Sequence, residues 1–323
     1  MTKPSLSRRR FLSAAATGAA AATLAAEAAP AATADAPAVK HTFLYALNTG
    51  TIRGYKLPLA EQIALAAEAG YGGIEPWISD IEKAAETGGA LKDLAKRCAD
   101  AGLAVVSAIG FPNWAVNDDT ARAKGLERMK RDMDLVAQLG GTHIAAPPAG
   151  VYQAGETLDL DRAAERYRAV LELGRETGVI PQLEFWGASA NLSRLDQCLY
   201  VAARAGHPDA CILADAFHMY RGGSPFSGLR LVGREASHCF HINDYPADPP
   251  RENLKDSDRI WPGDGIAPLR EILQAFLDNR AHVWLSVELF NASYWQQPAP
   301  ETARTGLAKM KALVASLPAA QHG

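Results

Sequence analysis

The chain has 323 residues, with 33 Lys and Arg against 36 Asp and Glu and a formal net charge of −3. It carries no basic tract beyond its first residues. This excludes nucleic acid or an anionic membrane surface as the main partner, because both require a basic face. The ~285 residues that follow the N-terminal segment suit a single domain.

The N-terminus resembles an export signal. Residues 7–12 (Ser-Arg-Arg-Arg-Phe-Leu) match the twin-arginine pattern, and an Ala-rich run with small-x-small cleavage sites follows at 14–36. Glu27 and Pro30 interrupt this run, which argues against a membrane anchor. We therefore predict a twin-arginine signal peptide over residues 1–36 and a periplasmic or secreted mature protein without a membrane span.

Removal of the predicted signal peptide takes away four bases and two acids and leaves a net charge of −5. Because the twin-arginine route carries folded proteins, often with a cofactor in place, it argues against disulfides despite the oxidising destination. The four cysteines form no C-x-x-C pair and lie in apolar patterns, so we predict that all are small core residues. They are Cys98, Cys198, Cys211 and Cys239.

Strand and helix patterns alternate from residue 42 onward. The predicted strands are 42–48, 71–77, 103–109, 142–146, 179–186, 211–215, 238–242 and 283–289. The predicted helices are 58–70, 91–101, 126–140, 159–177, 192–205, a short helix within a loop at 219–236, 268–277 and 301–317. Eight strands that alternate with eight helices predict an α/β fold, a single parallel (β/α)8 TIM barrel over residues 40–318.

Four strands in the second half each end in a side chain that can bind a metal. These donors are Glu184, Asp215, His241 and Glu288. A buried apolar strand has no cheap place for a carboxylate unless a partner cation is present. We therefore predict that the four donors share one divalent cation; the alternative for any single Glu is an ordinary salt bridge.

The spacing of the donors agrees with a barrel. The first three are separated by 31 and 26 residues, close to the roughly 30 residues of one βα unit. The last donor follows after 47 residues, and the surplus is a Pro-rich loop at 245–265. In such a barrel the active site lies at the C-terminal ends of the strands, where these donors are predicted to lie.

Three carboxylates and one imidazole favour Mn²⁺ or Mg²⁺; Co²⁺ also fits, and Zn²⁺ is a less typical choice for this set. A cation on two neighbouring oxygens of a hydroxy-ketone acidifies the adjacent C–H bond and stabilises the enediolate. Glu184 and Glu288 come from different strands and are predicted to flank the sugar from opposite faces. One would remove the proton and the other would return it.

Three local motifs accompany the donors. They are Asp215-x-x-His218, His241 followed by Asn243-Asp244, and Arg-Ile-Trp-Pro-Gly-Asp-Gly at 259–265. In this order, on these strands, the chain resembles the xylose isomerase-like barrel superfamily over about residues 42–318. It is more narrowly similar to the sugar phosphate isomerase/epimerase group, with ketose 3-epimerases and inosose dehydratases as relatives.

The resemblance implies that Asp215 binds the metal and that His218 and Arg259 contact the substrate. The stretch between His241 and Arg259 is longer than the resemblance implies and contains three prolines. This difference concerns the substrate pocket and leaves the metal site unchanged.

Other residues near the strand ends are candidates for the substrate pocket. Trp186, Phe217 and Trp261 are predicted to cover the apolar face of a sugar ring and to exclude water. Glu75, at the end of the second strand, is either a substrate contact or the structural partner of an arginine. Asn48 is either a pocket residue or a turn residue.

Further aromatic and histidine residues have less specific predictions. Trp77 and Trp114 are either rim aromatics or core residues. His143 falls at the start of the fourth strand, the wrong end for catalysis, and we interpret it as structural. His207 and His282 precede strands and are interpreted in the same way.

The sequence thus predicts a metal-dependent isomerase or epimerase acting on a ketose, cyclitol or keto-sugar. A phosphorylated substrate is disfavoured because no Gly-rich phosphate loop is present. One alternative is a lyase or dehydratase on the same metal site, inosose dehydratase-like or keto-glycoside-cleaving. Another is a non-catalytic periplasmic sugar-binding protein, against which the Glu184 and Glu288 pair argues. The sequence leaves open whether the chain forms a homo-oligomer.

Overall fold

The structure, a computed structural model, describes residues 43–86, 91–153, 155 and 157–318. The predicted signal peptide lies outside these residues. No helix in the described ranges has both the length and the apolar character needed to cross a membrane.

Eight strands form one parallel sheet. They are β1 Leu44–Asn48, β2 Gly73–Glu75, β3 Ala104–Val105, β4 His143–Ala146, β5 Ile180–Glu184, β6 Ile212–Asp215, β7 Ser237–Ile242 and β8 Trp284–Val287. Their order across the sheet is β3-β2-β1-β8-β7-β6-β5-β4. The N–H of Ala145 in β4 donates to the carbonyl of Ala108, just beyond β3, at 2.9 Å. The sheet therefore curls until its end strands meet, which confirms the predicted TIM-barrel fold.

Helices surround the sheet. In the described part of the chain they are α1 Leu59–Ala69, α2 Ile78–Glu86, α3 Leu91–Asp100, α4 Asp119–Gln138, α5 Leu160–Thr177, α6 Leu195–Ala205, α7 Ala216–Gly222, α8 Leu269–Asp278 and α9 Ala299–Ala315. Asp118 and Asp159 begin α4 and α5 by accepting a backbone N–H three residues on. Gly178 ends α5 in the left-handed conformation, with φ of 76°, which glycine adopts without steric cost.

Two predictions for the first half of the barrel were wrong. Helix α2 adds a ninth helix between β2 and β3; it buries only Ile78 and Ile81, too short an apolar stripe to be recognised. Strand β3 covers two residues in place of the predicted 103–109. Beyond it the pairing with β2 is interrupted, and resumes as an isolated bridge between Trp77 and Ile109.

A small apolar cluster fills the inside of the barrel. It consists of Ile109, Ala145, Leu213 and Cys239. Leu213 and Cys239 precede Asp215 and His241 by two residues, so they lie on the same strand face one layer lower. The polar donors therefore rest on an apolar layer. All four cysteines are buried with free thiols, as predicted.

Candidate active site and metal centre

The four predicted metal ligands lie at the C-terminal ends of neighbouring strands. Glu184 and Asp215 end β5 and β6, His241 is next to last in β7, and Glu288 follows β8 directly. Strand pairing sets Asp215 opposite His241. In chain order their exposed fractions are 4, 0, 0 and 5%. Four ionisable side chains thus share an interior in which uncompensated charge is costly.

Three of these donors form a compact cluster. Ligand atoms of Asp215, His241 and Glu288 all lie within 4.8 Å of one another. Nδ1 of His241 is 3.2 Å from Oε2 of Glu288 and 3.7 Å from Oδ2 of Asp215. This nitrogen is buried and has no hydrogen-bond partner among the described residues. A divalent cation would satisfy such a nitrogen between two carboxylates, so the residues fit a metal.

Glu184 lies beside this cluster, outside the group of atoms within 4.8 Å. Its Oε1 accepts the indole N–H of Trp186 at 3.1 Å. The pKa of Glu184 is raised to about 8. Burial is the largest cause, and the Glu288 and Asp215 carboxylates act in the same direction, whereas His241 acts against them. The shift reflects a shortage of positive charge around the carboxylates. Participation of all four donors at one cation stays a prediction.

Arg259 supplies positive charge to the cluster. Its side chain is 1% exposed, and Nη1 donates to Oδ2 of Asp215 and to Oε2 of Glu288, both at 2.9 Å. The guanidinium also lies 4.7 Å from the ring centre of Phe217. Burial by itself raises the pKa of Asp215, but Arg259, His218 and His241 together more than offset this and hold that pKa below its usual value. The arginine predicted to contact substrate therefore also neutralises two predicted metal ligands.

His218 lies against Arg259. Nη2 of Arg259 is 3.2 Å from Nε2 of His218, and since a guanidinium only donates, Nε2 must accept and Nδ1 must carry the proton. That Nδ1 is buried and finds no hydrogen-bond partner in the part of the chain that the structure describes. Burial lowers the pKa of His218, which keeps the ring neutral. Its backbone N–H donates to Oδ1 of Asp215 at the start of α7, which explains the three-residue spacing of this motif.

Glu75 lies behind His241 and is fully buried. Its Oε2 accepts from Nε2 of His241 at 3.0 Å, from Ser286 at 2.6 Å and from Asn48 at 2.9 Å. The partner is thus a histidine, where the sequence suggested an arginine or the substrate. A carboxylate behind a histidine fixes the ring and directs the other nitrogen, here Nδ1, toward a metal. A contact between Glu75 and substrate stays a prediction.

Glu75 and His241 shift each other's pKa values. Burial by itself raises the pKa of Glu75, but His241, Ser286 and Asn48 hold it below its usual value. Burial lowers the pKa of His241, and the carboxylates of Glu288 and Glu75 more than reverse this, raising it well above its usual value. In the metal-free cluster the imidazolium therefore carries positive charge that a cation would otherwise provide.

Asp244 holds the loop that carries Arg259. Its carboxylate accepts the backbone N–H groups of Gly263, Gly265 and Ala267 at 2.8–3.0 Å, and its backbone pairs with Ile260. A Cβ on Gly265 would lie 2.4 Å from Oδ1 of Asp244, which explains glycine there. The longer loop thus returns Arg259 to the cluster.

Aromatic rings surround the opening above the donors. Ring centres of Trp77 lie 5.3 Å from Phe111 and 6.0 Å from Phe290, and Trp186 lies 5.9 Å from Phe111 and 6.0 Å from Tyr152. Trp77 is thus a rim residue, one of its two predicted roles.

Trp114 and Trp261 are buried in the core. Trp114 is fully buried, and its indole donates to the carbonyl of Pro147. Trp261 is 6% exposed and stacks on Tyr294, so it does not face the opening as predicted. The Trp261 ring lies between the 245–265 loop and α9.

A comparison with known families decides the classification. A family model described as the xylose isomerase-like TIM barrel matches residues 63–313. The chain belongs to the xylose isomerase-like TIM barrel family. The resemblance inferred from the strand-end motifs is thereby confirmed.

Curated relatives of this xylose isomerase-like chain include enzymes of three kinds. An inosose isomerase of Bacillus licheniformis is 28% identical over 207 residues, covering 63% of this chain and 72% of the relative. An L-ribulose 3-epimerase of Mesorhizobium japonicum is 28% identical over 55% of this chain and 60% of the relative. A 3-dehydroshikimate dehydratase of Pseudomonas putida is 24% identical over 77% of this chain, but only 39% of that longer protein is matched. The chain's relatives are thus enzymes that convert sugars and related small molecules.

Solved structures of the xylose isomerase-like family share the fold. The IOLI protein, solved with a bound zinc atom, superposes with a TM-score of 0.78 at 22% identity, over 86% of this chain and 100% of that chain. L-ribulose 3-epimerase superposes with a TM-score of 0.66 at 20% identity, over 87% and 100%. At 22% and 20% identity these two likenesses show the shared fold alone.

Sequence reasoning about this xylose isomerase-like site missed Ser286 and the precise role of Asn243. Asn243 donates to Asp215 and accepts from the N–H of Phe217, so it orients a predicted ligand. Ser286 supports Glu75 from two residues before Glu288. The alternation of side chains along a strand places Ser286 and Glu288 on one face, and this was the available signal.

Proposed function

We propose that the chain is a divalent-metal-dependent isomerase or epimerase that acts on a ketose, cyclitol or keto-sugar. The buried cluster of Asp215, His241 and Glu288 around an unpartnered nitrogen, with Glu184 beside it, carries this proposal. Relatives named inosose isomerase and L-ribulose 3-epimerase support the reaction class. A protein that only binds sugar has no need for buried carboxylates at the reacting position.

The donor chemistry favours Mn²⁺ or Mg²⁺, with Co²⁺ also compatible, and the zinc-bound structural neighbour adds Zn²⁺. Asp215, His241 and Glu288 would hold the cation, and Glu184 would complete the set. When bound, the cation supplies positive charge that polarises the substrate carbonyl. Glu75 holds the His241 ring in place for this purpose, through the bond to Nε2.

Glu184 and Glu288 are the groups placed to move a proton. Trp186 holds one oxygen of Glu184, and Arg259 holds one oxygen of Glu288. One carboxylate takes the proton from the carbon next to the carbonyl, and the electron pair moves to the carbonyl oxygen. The other returns a proton to the opposite face of that carbon, which gives the epimer. Return to the neighbouring carbon, with a shift of the hydroxyl proton, gives the isomer.

His218 and Arg259 would orient the substrate. The Nδ1–H of His218 is the free donor of a ring whose other nitrogen is held by Arg259. A substrate oxygen that accepts from it would satisfy a buried polar atom and fix the position of the reacting carbon.

A dehydratase is the second candidate, because it begins with the same proton abstraction. The observation that favours it is Arg53, an exposed side chain whose guanidinium lies 4.3 Å from the ring centre of Trp77 at the opening. Arg53 has no ion-pair partner within the described ranges and is available to a substrate carboxylate. Two Pseudomonas relatives are named 3-dehydroshikimate dehydratase.

Solvent exchange tests the proposal. The mature protein, loaded with Mn²⁺, is incubated in D₂O with a panel of ketoses, inososes and 3-keto-glucosides, and NMR follows loss of each C–H signal. We expect exchange that stops on removal of the metal and is accompanied by a new isomer. Exchange with loss of water or an aglycone would favour the lyase, and absence of exchange with metal bound would contradict both.

We also propose that residues 7–12 direct twin-arginine export. Replacement of Arg8 and Arg9 by Lys together should retain the full-length chain in the cytoplasm, because the export pattern depends on the arginine pair. Cell fractionation measures this, and unchanged export of the double variant would contradict the proposal.

A further inference from the structure

Three aromatic rings form a continuous row on one side of the opening. Trp186, after β5, lies between Phe111, which follows β3, and Tyr152, which follows β4, with ring centres 5.9 and 6.0 Å apart. We refer to Phe111, Trp186 and Tyr152 as the aromatic row. All three residues belong to loops at the catalytic end of the barrel.

The middle ring of the aromatic row lies at the reacting position. The indole of Trp186 donates to Oε1 of Glu184 at 3.1 Å, so this ring touches a carboxylate that would move the proton. The two outer rings flank Trp186 on either side. A ligand whose reacting carbon lies at Glu184 would therefore contact one of these outer rings if it extended beyond one ring.

The outer rings of the row are open to solvent. Phe111 is 45% exposed and Tyr152 is 46% exposed. Exposed apolar rings that border a polar site are typical of ligand recognition. The loop of Tyr152 is held by backbone bonds from Ala190 and by the Asn191 side chain on Val151. These bonds hold the loop independently of the exposed tyrosine ring.

The positive group at the opening, Arg53, lies beside the Phe111 end of the aromatic row and not at its Tyr152 end. Arg53 lies over Trp77 at 4.3 Å, which gives that end a positive group. The outer rings of the aromatic row contact Trp186 and Trp77, and the hydroxyl of Tyr152 accepts from the neutral side chain of Gln153. The row therefore suits a neutral flat ring better than an anionic group.

We propose that the aromatic row is a second subsite, which holds a neutral ring attached to the sugar that reacts at Glu184 and Glu288. The substrate class is then a two-ring glycoside of a keto-sugar, with either a sugar or an aryl group on the row. This rests on the proposed function, because it assumes that the reacting sugar lies at the donor cluster. A free monosaccharide bound at the donor cluster would leave Phe111 and Tyr152 without a contact to the ligand.

Calorimetric titration tests the subsite on the mature, Mn²⁺-loaded protein. The probes are methyl β-glucoside, which has one ring, phenyl β-glucoside, which adds an aryl ring, and cellobiose, which adds a sugar. We expect at least tenfold tighter binding of one two-ring probe than of methyl β-glucoside. The tighter of the two identifies the source of the second ring.

Variants locate the preference. Phe111→Ala and Tyr152→Ala should each reduce the two-ring advantage to about threefold or less, with affinity for the one-ring probe unchanged. Tyr200→Ala is the matched control, because Tyr200 is also 46% exposed but lies on α6 and bonds to Asp161. It should keep the full advantage, and thermal unfolding should verify that all variants fold.

The subsite is overturned if the wild type shows no preference, if no two-ring probe binds, or if the preference survives both substitutions. Failure of the proposed function is a different result, namely absence of C–H exchange in D₂O. A two-ring preference without exchange would retain the subsite and reject the isomerase.

Discussion

Histidines lie at both ends of the barrel, fully buried at one end and half-buried at the other, and their pKa values are shifted in opposite directions. At the C-terminal end, His241 lies between Glu75 and Glu288, and these carboxylates raise its pKa well above the usual value despite burial. At the N-terminal end, burial and the neighbouring His238, 4.5 Å away between ring centres, lower the pKa of His143 to about 4. The pKa of the same residue type is thus raised at one end of the barrel and lowered at the other.

A cavity lies at the end of the barrel opposite the donor cluster. A cavity of about 600 Å³ opens at the N-terminal end, lined by apolar residues together with His143, His238 and His282. The donor cluster has almost no exposed surface. Opposite charges converge in the interior at the C-terminal end, away from this cavity, and on this ground we propose that end as the reacting end.

Substitution of a proton-transferring carboxylate at the C-terminal end of the barrel should have the greatest effect on activity. Glu184→Gln or Glu288→Gln should reduce C–H exchange by roughly 10²–10⁴-fold, because a carboxylate that moves the proton is lost. His143→Gln at the other end should leave exchange unchanged. Metal content, measured alongside, separates loss of the base from loss of the cation. Equal exchange rates in metal-loaded Glu variants and the wild type would rule out the mechanism.

Removal of the buried arginine should produce a large loss of stability. Arg259→Met leaves Asp215 and Glu288 without their cation and should lower the free energy of unfolding of the metal-free protein by about 3–5 kcal/mol. Mn²⁺ should recover part of this loss, since it neutralises the same carboxylates. Urea denaturation measures both.

Arg53→Gln is the control for that experiment. Arg53 is exposed at the same opening, so its replacement should change the free energy of unfolding by less than about 0.5 kcal/mol. An Arg259→Met protein as stable as the wild type without metal would contradict the charge role assigned to Arg259.

A smaller effect is expected behind the cluster. Glu75→Gln should weaken Mn²⁺ binding about 10–100-fold, because the bond that orients His241 is weakened. Calorimetric titration measures the affinity. Glu82→Gln is the control, since Glu82 pairs with Arg128 and Arg131 on the helical surface. Similar affinity in both variants would mean that Glu75 does not position the histidine.

The smallest expected effect concerns pH at the N-terminal end. The pKa of His143 is about 4 in the folded protein and 6.5 as the reference, so the unfolded chain binds a proton first as pH falls. The stability that His143 contributes is therefore present above pH 6.5 and is lost between pH 6.5 and 4. We expect a loss of about 1–2 kcal/mol, reduced by partial solvent contact.

His143→Gln should make that part of the pH dependence shallower. Urea denaturation at pH 7.0 and 4.5 measures the difference between the two proteins. If the free energy of unfolding changed equally between the two pH values in the wild type and in His143→Gln, His143 would be protonated as readily in the folded as in the unfolded chain. The contrast in pKa with His241 would then be lost.

The strand-end donors could be predicted because they depend on short-range patterns. Glu184 and Asp215 each end an apolar run, and a strand places its last side chain at the edge of the sheet whatever the partners are. The barrel followed from the repeated alternation of strands and helices. The additional helix α2 was missed because its apolar stripe contains only two buried residues.

The barrel, the strand ends at which the donors lie and the residue types that suit a cation could all be predicted from the sequence. Only the tertiary structure decided that Glu75 supports His241, across 166 residues of sequence, and that Ser286 joins them. It also decided that Arg259 lies among the predicted ligands. The physical reason is that strand periodicity is local, whereas hydrogen-bond partners and charge compensation depend on which distant segments the closed barrel brings into contact.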